Sequence, residues 1–277
     1  MSDLETIRRA YADTVCQTGK CSDTRVRDAF AAVRREDFLG AGPWRMFKGP
    51  GKLEMTPSAD PALVYTNDLF ALAPERAINN GQPSLHAGSL GLLAIQPGER
   101  VLHIGAGTGY YTAILSELVG ETGHVTALEI EPDLAAQARD NLKGRGNVTL
   151  LERSGTVAPL PMSDVIYVNA GATHPVDAWL DALNDGGRLL FPLTAESNLG
   201  VALLVTRKGE RFAAHAAWPV GFVPCAGARD PAAAADLQRA WWAGDLPKVK
   251  SLRRGGPAPD TGPLFVWNGG WLSPDAG

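Results

Sequence analysis

The spacing of apolar residues divides the chain into stretches of different texture. Near the start, Leu4, Ile7, Tyr11 and Val15 fall on one face at helical spacing. Val26, Ala29, Phe30 and Val33 repeat the pattern after Ser22, a residue suited to capping a helix. Residues 40–83 break the rhythm. They hold Gly40, Gly42, Pro43, Gly49, Pro50, Gly51, Pro57, Pro61, Pro74 and Pro83, which predicts a long irregular segment of the kind that carries function more often than not. From about residue 84, short apolar runs alternate with helical faces. Strands are expected at 101–104, 125–128, 147–151, 164–169 and 188–193, and helices at 110–119, 134–142 and near 176–183. Pro132 suits the start of the second of these helices. An antiparallel pair, 201–206 and 211–220, follows. This alternation predicts an α/β fold, a doubly wound, mostly parallel, seven-stranded sheet with helices on both faces. An N-terminal helical segment precedes the sheet and a C-terminal extension follows it. The extension opens with an alanine-rich helix at 231–243 and holds Trp241, Trp242, Trp267 and Trp271, four of the seven tryptophans. So much aromatic surface predicts packing on the main domain or on a second subunit, which leaves a homodimer open.

Composition adds exclusions. Hydrophobic residues make up 45% and charged residues 20% of the 277, which excludes disorder and a coiled coil as the main state. The net charge of −4 provides no overall basic field for nucleic acid, and Lys248, Lys250, Arg253 and Arg254 form only a small basic cluster. No apolar run of 18 residues predicts a membrane span, and Met1 to Glu5 do not read as a secretory signal. Cys16, Cys21 and Cys225 form no CxxC pair and the five histidines are scattered, so neither a disulfide framework nor a metal site is expected. The expected compartment is the reducing cytoplasm.

The candidate chemistry begins at Val101-Leu102-His103-Ile104-Gly105-Ala106-Gly107-Thr108-Gly109-Tyr110. A strand enters three glycines at alternate positions and a helix follows, so backbone amides can approach a ligand closely. A dinucleotide fingerprint would need glycine at 110, where this chain has Tyr110. The GxGxG form is that of S-adenosylmethionine-dependent methyltransferases, whose cofactor has no pyrophosphate to seat on a helix N-terminus. Glu129 stands at the end of the next strand, twenty residues past Gly109, where a carboxylate can accept hydrogen bonds from ribose hydroxyls. Arg153-Ser154-Gly155 follows the third strand, where an adenine edge can be read. Asn169-Ala170-Gly171-Ala172 follows the fourth, with small residues to line a cleft.

These blocks in this order resemble the protein-L-isoaspartate O-methyltransferases over roughly residues 5–225. Val33-Arg34-Arg35-Glu36-Asp37-Phe38 is similar to the family's opening segment, and Ile104 to Ala113 to its glycine loop and helix. Asp164 to Ala170, then Leu183 and Gly186 to Pro192, resemble its fourth and fifth strands, and Val220-Gly221-Phe222-Val223-Pro224 its closing strand. The resemblance implies a methyltransferase domain at 1–226, in which 1–83 supply N-terminal helices and a substrate loop and 84–226 the cofactor-binding sheet. Residues 227–277 are then an extension packed on it. It implies S-adenosylmethionine as cofactor, held by Gln82, His86, His103, Gly105, Ala106, Gly107, Thr108, Gly109, Tyr110, Glu129, Ile130, Ser154, Gly155 and Asn169.

Several positions depart from the family pattern. Its acceptor loop reads Thr-Ile-Ser-x-Pro, where this chain has Asn79-Asn80-Gly81-Gln82-Pro83. Its acid before the glycine loop is His103 here, and its adenine-reading acid is Ser154. Asn79 and Asn80 become the candidate catalytic residues, since Asn80 can donate a hydrogen bond to an acceptor carboxylate. A carboxylate acceptor on a protein or peptide is the expectation, and being anionic it needs no general base. The changed loop leaves open a small molecule or a modified peptide as acceptor. A hydroxyl or amine acceptor would look to His86 or His174 as base. His103, Gly81 and Ser154 also leave open a cofactor-fold binding protein without turnover.

Overall fold

The structure is a computed structural model and describes residues 4–49, 52–255, 258–259 and 262–276. Residues 1–3, part of the Met1–Glu5 stretch read as unlike a secretory signal, lie outside the described residues, as do Pro50 and Gly51 of the irregular segment. The chain folds into two compact units, Met1–Glu99 with Ala106–Glu152, and Arg100–Gly105 with Arg153–Gly277. This division does not follow residue 226, because the C-terminal extension is built into the second unit.

In the first unit, α1 (Leu4–Thr18) buries Tyr11, Ala12, Val15 and Cys16. Helix α2 (Thr24–Ala32) starts one residue later than expected. Its cap is Asp23, not Ser22. The Asp23 carboxylate accepts from the Arg25 amide at 2.9 Å and also receives the Arg25 guanidinium, so one side chain closes both the helix end and an ion pair. The segment expected to be irregular carries two short antiparallel hairpins, β1 (Arg45–Phe47) with β2 (Leu53–Met55), and β3 (Ala71–Ala73) with β4 (Ile78–Asn79). Arg35 is fully buried beneath it, donating to the carbonyls of Val64, Thr66 and Asp68 at 2.6, 2.6 and 2.8 Å. Its guanidinium lies over the Phe70 ring. Helix α3 (Pro83–Leu93) opens on a proline that needs no amide partner. After the second unit's β5 (Arg100–Ile104), the chain returns for α4 (Tyr110–Val119), β6 (His124–Glu129), α5 (Pro132–Asn141) and β7 (Val148–Glu152). Strands β6 and β7 are parallel, in register from Val125 with Val148 to Glu129 with Glu152.

The second unit holds β8 (Ser163–Val168), α6 (Asp177–Asp181), β9 (Leu183–Thr194), β10 (Leu199–Lys208), β11 (Arg211–Gly221), α7 (Pro231–Trp242), β12 (Ser251–Arg254), β13 (Phe265–Trp267) and β14 (Gly270–Ser273). With β5, its strands run in the order β13-β14-β12-β11-β10-β9-β8-β5. Pairs β5–β8 and β8–β9 are parallel, and the others are antiparallel because the later strands return as hairpins. All seven expected strands are present as β5 to β11, and the extension adds three more. Helix α6 is shorter than expected because β9 begins at Leu183 and takes up the residues before Arg188. Trp179 is fully buried and donates through Nε1 to the Gly155 carbonyl at 2.7 Å. Arg229, at the start of the extension, donates to the carbonyls of Gly171, Thr194 and Ala195 and so pins the loop after β8. Among the described residues no helix is long and apolar enough to cross a membrane.

Candidate active site

In the first unit, the turn before α4 depends on glycine. Gly107 and Gly109 have φ of +57° and +97°, a region that costs other residues strain. A Cβ at Gly109 would stand 3.0 Å from Leu142 Cδ1 and one at Gly107 3.5 Å from Leu72 Cδ1. The Gly107 amide donates to Glu129 Oε2 at 2.6 Å, while the amides of Ile130 and Glu131 donate to Oε1 at 2.9 and 3.0 Å. Glu129 is therefore a nearly buried carboxylate aimed by the backbone on both sides. Burial pushes its carboxyl pKa up, against the pull of the three amides. Oε1 has both lone pairs occupied by the two amides, while Oε2 keeps one for a further donor.

Two residues expected beside the cofactor turn their side chains elsewhere. The Tyr110 ring packs edge-on against Phe30 and Tyr111 and near Phe38, and its hydroxyl lies 3.3 Å from that of Tyr11. Thr108 donates its hydroxyl to the Phe38 carbonyl at 2.6 Å. Both side chains belong to the packing between α4 and the N-terminal helices, so what they offer a ligand is backbone. Ala106 is buried, and Ile130 is 46% exposed.

The acceptor loop lies in the same unit. Asn79 Oδ1 accepts from the Gly81 amide at 2.9 Å, a side-chain turn that shapes the loop. Asn80 is nearly buried, and it exchanges two bonds with Phe70. Its amide donates to the Phe70 carbonyl at 2.9 Å, and its Oδ1 accepts from the Phe70 amide at 2.8 Å. Asn80 Nδ2 is left buried with no hydrogen-bond partner. Gly81 has φ of +71°, and any Cβ there would lie 2.1 Å from His86 Nε2. The His86 ring stacks on Tyr111 with centroids 3.6 Å apart, and the Tyr111 hydroxyl donates to the Gly81 carbonyl at 3.3 Å. The imidazole thus fills the space a side chain at 81 would need. Gln82 precedes α3 with its side chain exposed.

The second unit, taken by itself, holds a separate group of expected site residues. His103 on β5 is fully buried, and burial pushes its pKa down to about 3. The neutral ring accepts through Nε2 from Asn169 Nδ2 at 2.7 Å, which leaves Asn169 Oδ1 buried and without a partner. Gly105, with φ of +80°, faces Asn169, and a Cβ there would sit 3.5 Å from its backbone. Gly155 permits no side chain, since a Cβ would stand 2.3 Å from Ile104 Cγ2. Ser154 and Thr156 share a hydroxyl contact at 2.8 Å. His174 bonds Thr173 and stacks near Trp267 of the extension, and burial lowers its pKa.

Sequence reasoning passed over Tyr111, Leu72 and Arg76. Arg76 bonds Glu131 and Asp133. Tyr111 lay within the quoted helix but had no visible role until the His86 stack. Arg76 has partners more than fifty residues away, which no local pattern reveals.

The family model described as Protein-L-isoaspartate(D-aspartate) O-methyltransferase (PCMT) matches residues 8–230. The protein-L-isoaspartate O-methyltransferase of Ignicoccus hospitalis is 37% identical over 47% of this chain, an alignment that spans 64% of that relative, just under two thirds of it. The enzyme of that name from Pyrobaculum neutrophilum is 30% identical over 76% of this chain and 95% of its own length. A solved protein-L-isoaspartate O-methyltransferase superposes with a TM-score of 0.67 at 26% identity, covering 85% of this chain and 69% of that one. With the glycine turn, the aimed carboxylate of Glu129 and a match across most of its length, the chain belongs to the protein-L-isoaspartate(D-aspartate) O-methyltransferase family of S-adenosylmethionine-dependent methyltransferases.

Proposed function

We propose that the chain methylates a carboxylate of a protein or peptide, isoaspartyl in the first instance. The observation that carries this reading is Asn80 Nδ2, a buried donor with no partner inside the protein. Burying an unpaired amide donor costs about 1–3 kcal/mol, which a ligand oxygen would recover. The residues fit the family's cofactor. In the first unit Gly107 presents bare backbone, and Glu129 Oε2 keeps a lone pair for a ribose hydroxyl. When bound, that cofactor supplies a methyl group on a positively charged sulfur.

The protein's own part is orientation and exclusion of water. A carboxylate is already ionised at neutral pH, so no side chain need take a proton. Asn80 gives the acceptor one hydrogen bond from a neutral amide and cannot protonate it. Asn79 and Tyr111 hold the loop that carries Asn80 and Gly81. A second reading, a small-molecule or modified-peptide acceptor, is favoured by one observation: at position 81 an imidazole edge from His86 stands where the family pattern has a hydroxyl-bearing side chain. A cytoplasmic location is part of the proposal and is supported by three unpaired thiols. A homodimer is also part of it. Much of the extension's apolar surface is used within its own unit, with Trp242 left 76% exposed.

The test is incubation with labelled S-adenosylmethionine and an isoaspartyl peptide. Base-labile methyl ester is the expected product. Cofactor binding with no transfer to that peptide would overturn the isoaspartyl reading and leave the small acceptor.

A further inference from the structure

The β3–β4 hairpin, residues 71–79, is small and irregular, with Ala71 opposite Asn79, Ala73 opposite Ile78, and a break in register between them. Two-stranded ribbons of this size have little stability alone. Its tip is a 3-10 turn, Pro74–Arg76, followed by Ala77 at φ of +56°, an uncommon conformation for a residue other than glycine. Something outside the hairpin must hold it.

Two contacts do so, and both bear on the backbone that aims Glu129. At the tip, the Arg76 guanidinium makes a fork to Asp133, with Nη1 to Oδ1 at 3.0 Å and Nη2 to Oδ2 at 2.5 Å, and also bonds Glu131. Glu131 is the residue whose amide holds Glu129 Oε1. Before the tip, Leu72 Cδ1 faces Gly107, 3.5 Å from where a Cβ there would stand, and the Gly107 amide holds Glu129 Oε2. The hairpin's second strand then leads directly into Asn79 and Asn80. One small element thus links the backbone groups around the ribose carboxylate to the acceptor loop.

We propose that Arg76 is a positioning residue that latches the 71–79 hairpin against the glycine turn and thereby sets how fast cofactor and product exchange. The inference rests on the cofactor reading above. The planar fork is matched to two carboxylates at once, which a lysine cannot reproduce. The Arg76, Glu131 and Asp133 side chains are 32, 33 and 53% exposed, so salt weakens the latch.

The test compares wild type with Arg76→Ala and Arg76→Lys. Release of S-adenosylhomocysteine is followed by stopped-flow displacement, and amide hydrogen exchange across 71–79 by mass spectrometry on ligand-free protein. Arg76→Ala should speed release by about tenfold or more, with Arg76→Lys in between. Wild-type release should accelerate between about 0.05 M and about 0.5 M salt while that of Arg76→Ala stays flat. Exchange in the hairpin should quicken in Arg76→Ala. Release and exchange within about twofold of wild type, or equal salt sensitivity in both proteins, would overturn the latch. If wild type bound no S-adenosylhomocysteine, the cofactor reading would fail instead, and hydrogen exchange alone would decide the latch.

Discussion

His103 makes stability depend on pH in a way that can be worked out in advance. The ring is fully buried on β5, and burial pushes its pKa from the ordinary 6.5 down to about 3. The unfolded chain therefore binds a proton that the native protein refuses, and stability contributed by the neutral ring is lost as pH falls from about 6.5 towards about 3. The slope is ~1.4 kcal/mol per pH unit well inside that window. Going from pH 6.5 to pH 4.5 should cost roughly 2–2.5 kcal/mol from this residue alone. Other groups titrate too, Glu129 in the opposite sense, so the useful quantity is a difference. His103→Gln keeps an acceptor for Asn169 and removes the titration. The variant should be less stable than wild type at pH 7.5, by roughly 1–3 kcal/mol for the altered core. Its disadvantage should shrink by roughly 2.5 kcal/mol between pH 7.5 and pH 4.5. Urea unfolding read by tryptophan fluorescence at several pH values measures both. A wild-type-minus-variant difference constant to within about 0.5 kcal/mol across that range would refute the reasoning. So would a His103 ring resonance that titrates near pH 6 in native protein.

Three further outcomes follow from the site. Asn80→Asp keeps the acceptor for the Phe70 amide but replaces the unpartnered donor with a charge. Turnover with an isoaspartyl peptide should fall by ~10²-fold or more while cofactor affinity stays nearly level, and a fall shared equally by cofactor affinity would contradict the assignment. Gly81→Ser must take up φ of +71° and meet the His86 ring, so the melting temperature should drop by several degrees, with part of the loss restored by adding His86→Ala. No drop would show that the loop relaxes freely. Glu129→Gln cannot accept at both oxygens, and S-adenosylhomocysteine affinity measured by calorimetry should weaken by about tenfold or more. An unchanged affinity would remove Glu129 from the ribose role.

The elements most legible in the sequence are those with a mostly apolar run and strong signals at both ends. Helix α4 was expected at 110–119 and occupies those residues, because nine of its ten positions are buried and a glycine closes each end. The helix cap at Asp23 was missed because Ser22 and Asp23 are both capping residues, and only the Arg25 ion pair decides between them. The three strands of the extension were read as packing surface without an architecture. Strand β12 spans only Ser251–Arg254, too short for alternation to stand out, and it becomes a strand by pairing with β11, some forty residues earlier. In the site, a residue's type announced its presence but not its direction. Tyr110 and Glu129 sit in equally suggestive places. One turns its ring into the aromatic cluster beneath α4, and the other is aimed by three amides. That difference is a matter of tertiary packing, which spacing along the chain does not encode.

The extension has a consequence for anyone who shortens the protein. The family match ends at residue 230, which invites a fragment stopping before α7. Such a fragment would lose β12, whose Ser251 and Leu252 pair with Ala213 and Phe212 of β11. It would also lose the Lys250 carbonyl that receives the Ala214 amide. An eleven-residue strand would then carry bare hydrogen-bonding groups along its opening half, next to the buried side chain of Phe212. Unprotected edges of that kind template pairing with another chain. With the tail present, the strand at that edge among the described residues is instead the three-residue β13, too brief to offer much of a template. Removing the tail should therefore promote irregular strand-to-strand aggregation through β11, which light scattering on the shortened chain would check.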